Sequence, residues 1–440
     1  TRVDVKERAV YTSLDFIRNE DVLNVVRETR WDMVVVDEAH KLSVYEYGSK
    51  RYTSKRYEAV HALAHLTEHL LLLTATPHRG RRDTFRNLLQ LLDEDIFASD
   101  NLVTERIKQL GETGVNKFFI RRLKEEMKDW EGNPLFKPRM TKTVKYELTR
   151  EEKQLYNGVT EYLTRKKEEA RLQSNIHVSL ALMVMQRRLT SSIYAIMNTL
   201  KNRYDALMAV VETIRLNPSL WKQRHRLEEM EVAGLEDFDE LGDEDREKLE
   251  NILADPRKFK LFTTAKTSTE IREEAEQVKV LYEQAKYLYQ KNQEEAKYKK
   301  LQTLLRNEGV FDRNEKLVIF TEHKDTLDYL EQRLSRSGGF RVTTIHGGMS
   351  VDERRQAQAL FAKDAQILVA TDAAGEGINL QFCRLLINWD IPWNPNRLEQ
   401  RMGRIHRYGQ KDKVLVFNMV AHNTREGKVL EKLLTKLDII

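Results

Sequence analysis

Cysteine is nearly absent: Cys383 is the only one in 440 residues. A single thiol excludes an intramolecular disulfide and any zinc site built from cysteines, which fits a reducing, intracellular setting. Also absent is an apolar run long enough to cross a bilayer, and the N-terminus lacks the layout of a secretory signal peptide. No solenoid-type period repeats along the chain. His40, His346 and His406 invite a metal reading but fall in separate motifs without ligand spacing. None is read as a metal ligand. The last absence matters most. No Gly-x-x-x-x-Gly-Lys-Ser/Thr sequence, the loop that cradles nucleotide phosphates, occurs anywhere.

What is abundant is charge. Charged residues make up 32% of the chain, with a net charge of +5. So mild an excess permits nucleic-acid binding without requiring it, because local stripes matter more than totals. The length suffices for two or three domains, each with its own core.

Three regions follow from the patterning. From Ala9 to about Arg122 strand and helix patterns alternate: "AVYTSL", "DMVVVDEA" and "HLLLLTAT" (69–76) read as strands, with helices over Glu20 to Thr29 and Lys55 to Leu66. From about Lys316 to Val420 the alternation is cleaner, with strands expected at 317–321, 341–346, 366–371, 384–390 and 414–420. Ser350 with Glu353 forms a capping box. Continuous apolar strands between helices predict parallel sheets covered on both faces. The middle, about Glu151 to Asn307, has no convincing strand and reads as a helical insertion. It carries an acidic block, Glu228 to Glu247, and one long helix over 271–305. The expected domains are therefore 1–145, 146–310 and 311–440: a first α/β lobe with its connector, helical protrusions, and a second α/β lobe.

Candidate chemistry sits at strand ends. Asp37-Glu38 closes "WDMVVVDEA"; such a pair orients magnesium through water and polarises an attacking water. It fits equally a capping aspartate beside a solvated glutamate. Thr74-Ala75-Thr76-Pro77 follows the third strand, as an ordinary turn would. In "QRMGRIHRYGQ" (400–410), Arg404 and Arg407 are expected to share a helix face and suit a polyanion such as a triphosphate. Gly403 beside them costs helix stability and suggests close approach by something else. "VATDAAGEGINL" (369–380) ends a strand in Thr371-Asp372, and Gly375 and Gly377 would let backbone amides approach a ligand. Each piece alone is bland. Their order along the chain is not.

In series, "DEAH", "TATP", "ATDAAGEGINL" and "QRMGRIHR" resemble motifs II, III, V and VI of helicase superfamily two. "FFIRRLKEEM", "FKPRMTKTVKYELTREEKQLY" and "NWDIPWNPNRLEQRMGRIHRYGQ" resemble its Swi/Snf-type double-stranded DNA translocases. Glu376 and Tyr408 depart from the eukaryotic pattern and look like the bacterial and archaeal branch, RapA-like or phage-defence-like. The resemblance implies an α/β fold of two RecA-like doubly wound parallel-sheet lobes, the first incomplete, joined by a helical insertion. It implies ATP and Mg2+ as cofactors, duplex DNA as partner, a protein partner recruited through the insertion, and a cytoplasmic, nucleoid-associated prokaryotic protein.

Residue by residue, the resemblance gives Asp37 the magnesium role and Glu38 the activation of water. Arg404 and Arg407 become arginine fingers, with Gln400 nearby. Thr74 and Thr76 couple hydrolysis to motion. Thr12, Thr321, His346, Thr371 and Asn379 lie where relatives track one strand's phosphates, a sequence-independent and salt-sensitive contact. Lobes opening and closing around ATP would step the protein along the duplex. The missing phosphate loop lies upstream of the acidic motif in that family. The chain is accordingly expected to be the C-terminal portion of a longer motor, weak in ATP binding and hydrolysis alone, with an exposed sheet edge in lobe one. A strand-separating helicase and a non-catalytic DNA-binding scaffold remain as alternatives.

Overall fold

Alternation between two faces decides the larger sheet. In β6 (Leu317–Thr321), β8 (Ile367–Thr371) and β9 (Leu385–Asn388) every residue is buried, as continuous apolar strands should be when both faces are covered. The computed structural model describes residues 9–42, 44–47, 50–74, 82–112, 118, 120, 122–173, 176–216, 263–265, 267–291, 295–310, 315–336, 339–372, 378–392, 395–424, 426–428 and 430. Thr76, Gly375, Glu376, Gly377 and the acidic block fall outside the described residues. The chain divides into two units, 1–123 and 124–440.

In the first unit, β1 (Trp31–Val36) and β4 (Thr67–Leu72) pair in parallel, and β2 (Val44–Tyr47) and β3 (Lys50–Thr53) form an antiparallel pair. Asn19 caps helix Glu20–Arg27 and Ser54 caps helix Lys55–Ala64, each side chain accepting a backbone N–H of the first turn. Val34, Val36, Leu70 and Leu72 pack on Leu42, Tyr57, Val60 and Leu88. The opposite face differs from expectation: Met33, Val35, Leu71 and Leu73 stay substantially exposed, so this small sheet is covered on one side only. "AVYTSL" is not a strand either. Ser13 accepts Phe16 N–H at 3.0 Å and starts the short helix Leu14–Ile17 instead.

The second unit is built on a six-stranded sheet containing β5 (Arg139–Tyr146), β7 (Val342–Ile345) and β10 (Val414–Ala421). Its order is β5-β10-β9-β6-β8-β7, and every neighbouring pair is parallel. Leu317, Ile319, Val369, Ile387 and Phe417 face Leu301, Leu305, Leu327 and Leu330 of helices Ala296–Asn307 and Lys324–Arg336. The alternate residues Val318, Phe320, Leu368, Leu386 and Val416 face Phe361, Leu398, Met402 and Ile405 of helices Val351–Lys363 and Pro395–Ile405. Period-two alternation thus feeds two cores, the signature of a doubly wound sheet. The capping box expected at Ser350 and Glu353 is formed.

β5 places the connector differently from the expected domain limits. Residues 124–145 belong with the second unit, because β5 lies along β10 at the sheet's edge. The insertion joins the same unit. Helices Arg150–Leu172, Ile176–Ser191, Ile193–Leu216 and Ser268–Gln290 share one apolar core. Inside it Glu274, almost fully buried, takes bonds from Tyr162 Oη (2.9 Å) and Arg203 and lies 3.3 Å from Lys166 Nζ. The single helix expected over 271–305 is two, Ser268–Gln290 and Ala296–Asn307. Glu152 explains the second start: its carboxylate accepts Ala296 N–H at 2.9 Å, while buried Glu295 turns aside to accept Ile193 N–H at 3.0 Å.

Candidate functional site

The acidic pair is held at the carboxyl end of β1. Beyond the paired strands, Leu73 N–H still bonds Val36 O (2.8 Å) and Ala39 N–H bonds Leu73 O (2.9 Å). The two strand ends therefore stay in register as far as Thr74. Glu38 has φ +53°, the one non-glycine residue with positive φ among those described. That left-handed backbone costs about 1–3 kcal/mol and persists where surroundings over-determine it. The surroundings are His40, buried, whose Nδ1 lies 3.1 Å from Glu38 Oε2 and 3.1 Å from Thr74 Oγ1. Asp37 points its carboxylate to solvent, with Oδ1 accepting Glu38 N–H at 2.9 Å. A water-facing hard oxygen fits magnesium held through water. Sequence reading set His40 aside; its place two residues after the pair was the available signal.

Pro395 opens the arginine helix at its first position, where a missing N–H costs nothing. Leu398, Met402 and Ile405 point into the core. Arg401 is buried with them and bonds Asp372 through two nitrogens, Nη2 at 2.8 Å. Burial alone would lower its guanidinium; Asp372 outweighs that and raises it above the ordinary arginine value. Arg397 Nη1 adds a longer contact to Asp372 at 3.5 Å. The expected pair is arranged otherwise than predicted. Arg404 lies in the last turn of the helix, but Arg407 lies past its last residue, Ile405, with Nε on Gly403 O at 3.0 Å. The two do not share a helix face. Both are partly exposed, as is Gln400. Among the described residues, a Cβ added at Gly403 would meet nothing within 4 Å, so the close approach expected on that side of the glycine is not made by any of them.

A polar node lies at the carboxyl ends of β6 and β9. Asp390, just past β9, accepts from Thr321 Oγ1 (2.6 Å), Ser191 Oγ (2.7 Å) and Lys297 Nζ (3.0 Å). Its backbone carbonyl accepts Arg401 Nη1. Burial would raise this carboxyl; Lys297, His323 and the two hydroxyls outweigh it and hold it below the usual carboxylate range. Insertion, sheet and arginine helix are thereby joined by one chain of hydrogen bonds. Arg401 and Asp390 were missed in the sequence, where they looked like ordinary members of a basic helix and of the strand expected at 384–390, which ends at Asn388 instead.

The strand-tracking candidates separate by exposure. Thr12 and Asn379 present their side chains to solvent, and His346 is half-buried at the end of β7. Thr321 is fully buried with its hydroxyl on Asp390, and Thr371 is nearly so. Central strands of a doubly covered sheet bury even their last residue, and the Thr321 hydroxyl is already given to Asp390. Among the described residues no helix is long and apolar enough to cross a membrane.

The SNF2-related domain family matches residues 2–207, and the Helicase conserved C-terminal domain family matches 296–409. The uncharacterized ATP-dependent helicase YqhH of Bacillus subtilis is 28% identical over 443 residues, covering 98% of this chain and 63% of that protein. The RNA polymerase-associated protein RapA of Vibrio cholerae is 27% identical over 429 residues, covering 93% of this chain and 38% of that protein. Among solved structures, the Pyrococcus furiosus Hef helicase domain is similar over 96% of this chain and 77% of that one, at 16% identity and a TM-score of 0.48.

Proposed function

Since this chain belongs to the Snf2-type, RapA-like branch of helicase superfamily two, we propose that it serves an ATP-hydrolysing motor that translocates on double-stranded DNA without separating its strands. The observation that carries this reading is the bonded set Glu38–His40–Thr74. A carboxylate suited to activating water shares an imidazole with a hydroxyl at the next strand end. A change at the carboxylate is therefore felt at Thr74.

In this reading Asp37 holds Mg2+ through water, and the bound ion would neutralise phosphate charge. Glu38 orients and polarises the attacking water, held in place by its left-handed backbone and by His40. Arg404 and Arg407 meet phosphate oxygens and the charge that develops on them, with Gln400 beside them. Arg401 positions their helix by its pair with Asp372 and does not touch nucleotide. Thr74 and Thr76 couple hydrolysis to motion, and Gly375 and Gly377 admit backbone amides to a ligand. Thr12, Asn379 and His346 contact the phosphates of one DNA strand. The helices of the insertion recruit a protein partner, and the name of the RapA relatives makes RNA polymerase the first to test, which would place the motor at the nucleoid.

The test is the ATPase rate of the full-length gene product with duplex and then single-stranded DNA, alongside Glu38→Gln. Stimulation by duplex that Glu38→Gln abolishes supports the translocase. Preference for single strands moves the protein to unwinding helicases, and DNA binding without hydrolysis leaves the scaffold.

A further inference from the structure

Away from the acidic pair, three metal-ligating side chains of the first unit converge. His61 and His65 stand one turn apart at the end of helix Lys55–Ala64, where His65 is the C-cap residue. Residues four apart leave the same helix face, and here the two ring centroids are 4.8 Å apart. Glu94, in the segment after helix Arg82–Gln90, brings Oε1 to 3.0 Å from His61 Nε2. One ligand atom from each of the three lies within 4.8 Å of the other two. Tyr57, on the preceding turn, stacks on His61 at 5.9 Å and 27° and fixes that ring.

We infer that His61, His65 and Glu94 bind one divalent transition-metal ion, zinc being the class that fits best. Two imidazoles and a carboxylate are a common three-ligand set for Zn2+, which leaves a fourth position for water, whereas Mg2+ and Ca2+ favour oxygen alone. With bonds of about 2.0–2.1 Å, tetrahedral donors stand about 3.4 Å apart. Closing the widest gap, from 4.8 Å, takes about 1.4 Å of side-chain movement shared between two ligands. His65 and Glu94 are exposed, so that movement displaces no core residue.

The ion would act as a clamp. His65 lies two residues before β4, the strand that leads to Thr74, and Glu94 lies beyond the next helix. Bridging them closes the stretch that contains Thr74 at both ends. An ion bound only by the folded state stabilises it by mass action.

The experiment titrates Zn2+ into the full-length protein without nucleotide or Mg2+, and repeats the titration with Co2+ to read its visible absorption. His65→Ala and Glu94→Gln remove surface ligands, and His422→Ala removes an unrelated surface histidine. The expected result is one bound equivalent with a low-coordinate Co2+ spectrum and a Zn2+-dependent rise in Tm. Affinity should fall at least about tenfold in His65→Ala and in Glu94→Gln, and stay unchanged in His422→Ala. No binding by the unaltered protein, or equal binding by His65→Ala, would overturn the assignment and leave His61–Glu94 an ordinary hydrogen-bonded pair.

Discussion

His40 Nδ1 is equidistant, at 3.1 Å, from Glu38 Oε2 and Thr74 Oγ1, so one imidazole edge serves both strand ends. Glu38→Gln is expected to lower the DNA-stimulated kcat of the full-length protein by about 10²–10⁴-fold, the usual range for a lost general base. His40→Ala should cost less, about 10- to 100-fold, because it misplaces the carboxylate without removing it. Thr74→Val should spare hydrolysis more than movement. Single-turnover hydrolysis set against displacement of a triplex strand separates the two effects; equal losses in both would count against a coupling role.

Arg401 and Arg404 are three residues apart and should behave in opposite ways. Arg401→Ala removes a buried guanidinium and strips the partly buried carboxylate of Asp372 of its two-point partner, a loss of up to about 3 kcal/mol, the lower end for breaking a fully buried pair. Arg404 is partly exposed at the helix end, so Arg404→Ala should leave the urea midpoint nearly unchanged while lowering ATPase. Denaturation curves and ATP turnover on the two variants check this directly.

Glu295 makes stability depend on alkali. Burial first, then the charge of Glu152, push its carboxyl up to about 8, against the opposing pull of Ile193 N–H, Lys297 and Arg333. The folded state thus holds a proton that the unfolded chain releases near its ordinary 4.5. This contribution is complete below pH 4.5 and is lost as pH rises through 8. Glu295→Gln keeps an acceptor for Ile193 and cannot ionise. Melting temperatures of the variant should fall less between pH 6 and 9, a window chosen to span about one unit either side of that pKa and beyond.

Glu274 does the reverse. Burial would raise it, but the charges of Arg203 and Lys166, with hydrogen bonds from Arg203 and Tyr162, outweigh that and hold it at about 2. Its contribution is present above the ordinary 4.5 and is lost as pH falls through 2. Glu274→Ala leaves Arg203 buried without its carboxylate, at a cost of about 3–5 kcal/mol. Circular dichroism melts at neutral pH should show the insertion helices unfolding first.

Much of the second unit could be read directly, since most of its strands from "LVIFT" to "VLVFNMV" are largely apolar runs between turn residues, "RVTTIH" at the sheet's edge being the mixed one. The acidic pair and the arginine helix were legible for the same reason, being charges where apolar patterning stops. Thr321 was placed among the strand-tracking residues by resemblance alone, and only tertiary packing shows that Asp390 accepts its hydroxyl. Arg407 misled because three-residue spacing implies a helix face only while the helix lasts. The break near Gln290 was invisible: its cause is Glu152, some 140 residues away in sequence. His40 and the His61–His65–Glu94 cluster depended on pairings between segments that no local pattern reports.

β5 has a consequence for anyone who divides this protein. The strand is laid down before the insertion begins, yet its partner β10 comes near the end of the described chain, so Val414 pairs with Arg139 and Ala421 with Tyr146. The second lobe is thus a discontinuous domain, with the insertion spliced into it. A recombinant piece starting at residue 296, where the C-terminal family match begins, would keep β10 and lose its outer neighbour. That would convert a buried strand into a bare apolar edge open to pairing with other chains. A soluble second lobe should therefore start before Arg139, and in the folding of the intact chain its sheet closes last, across the longest loop it contains.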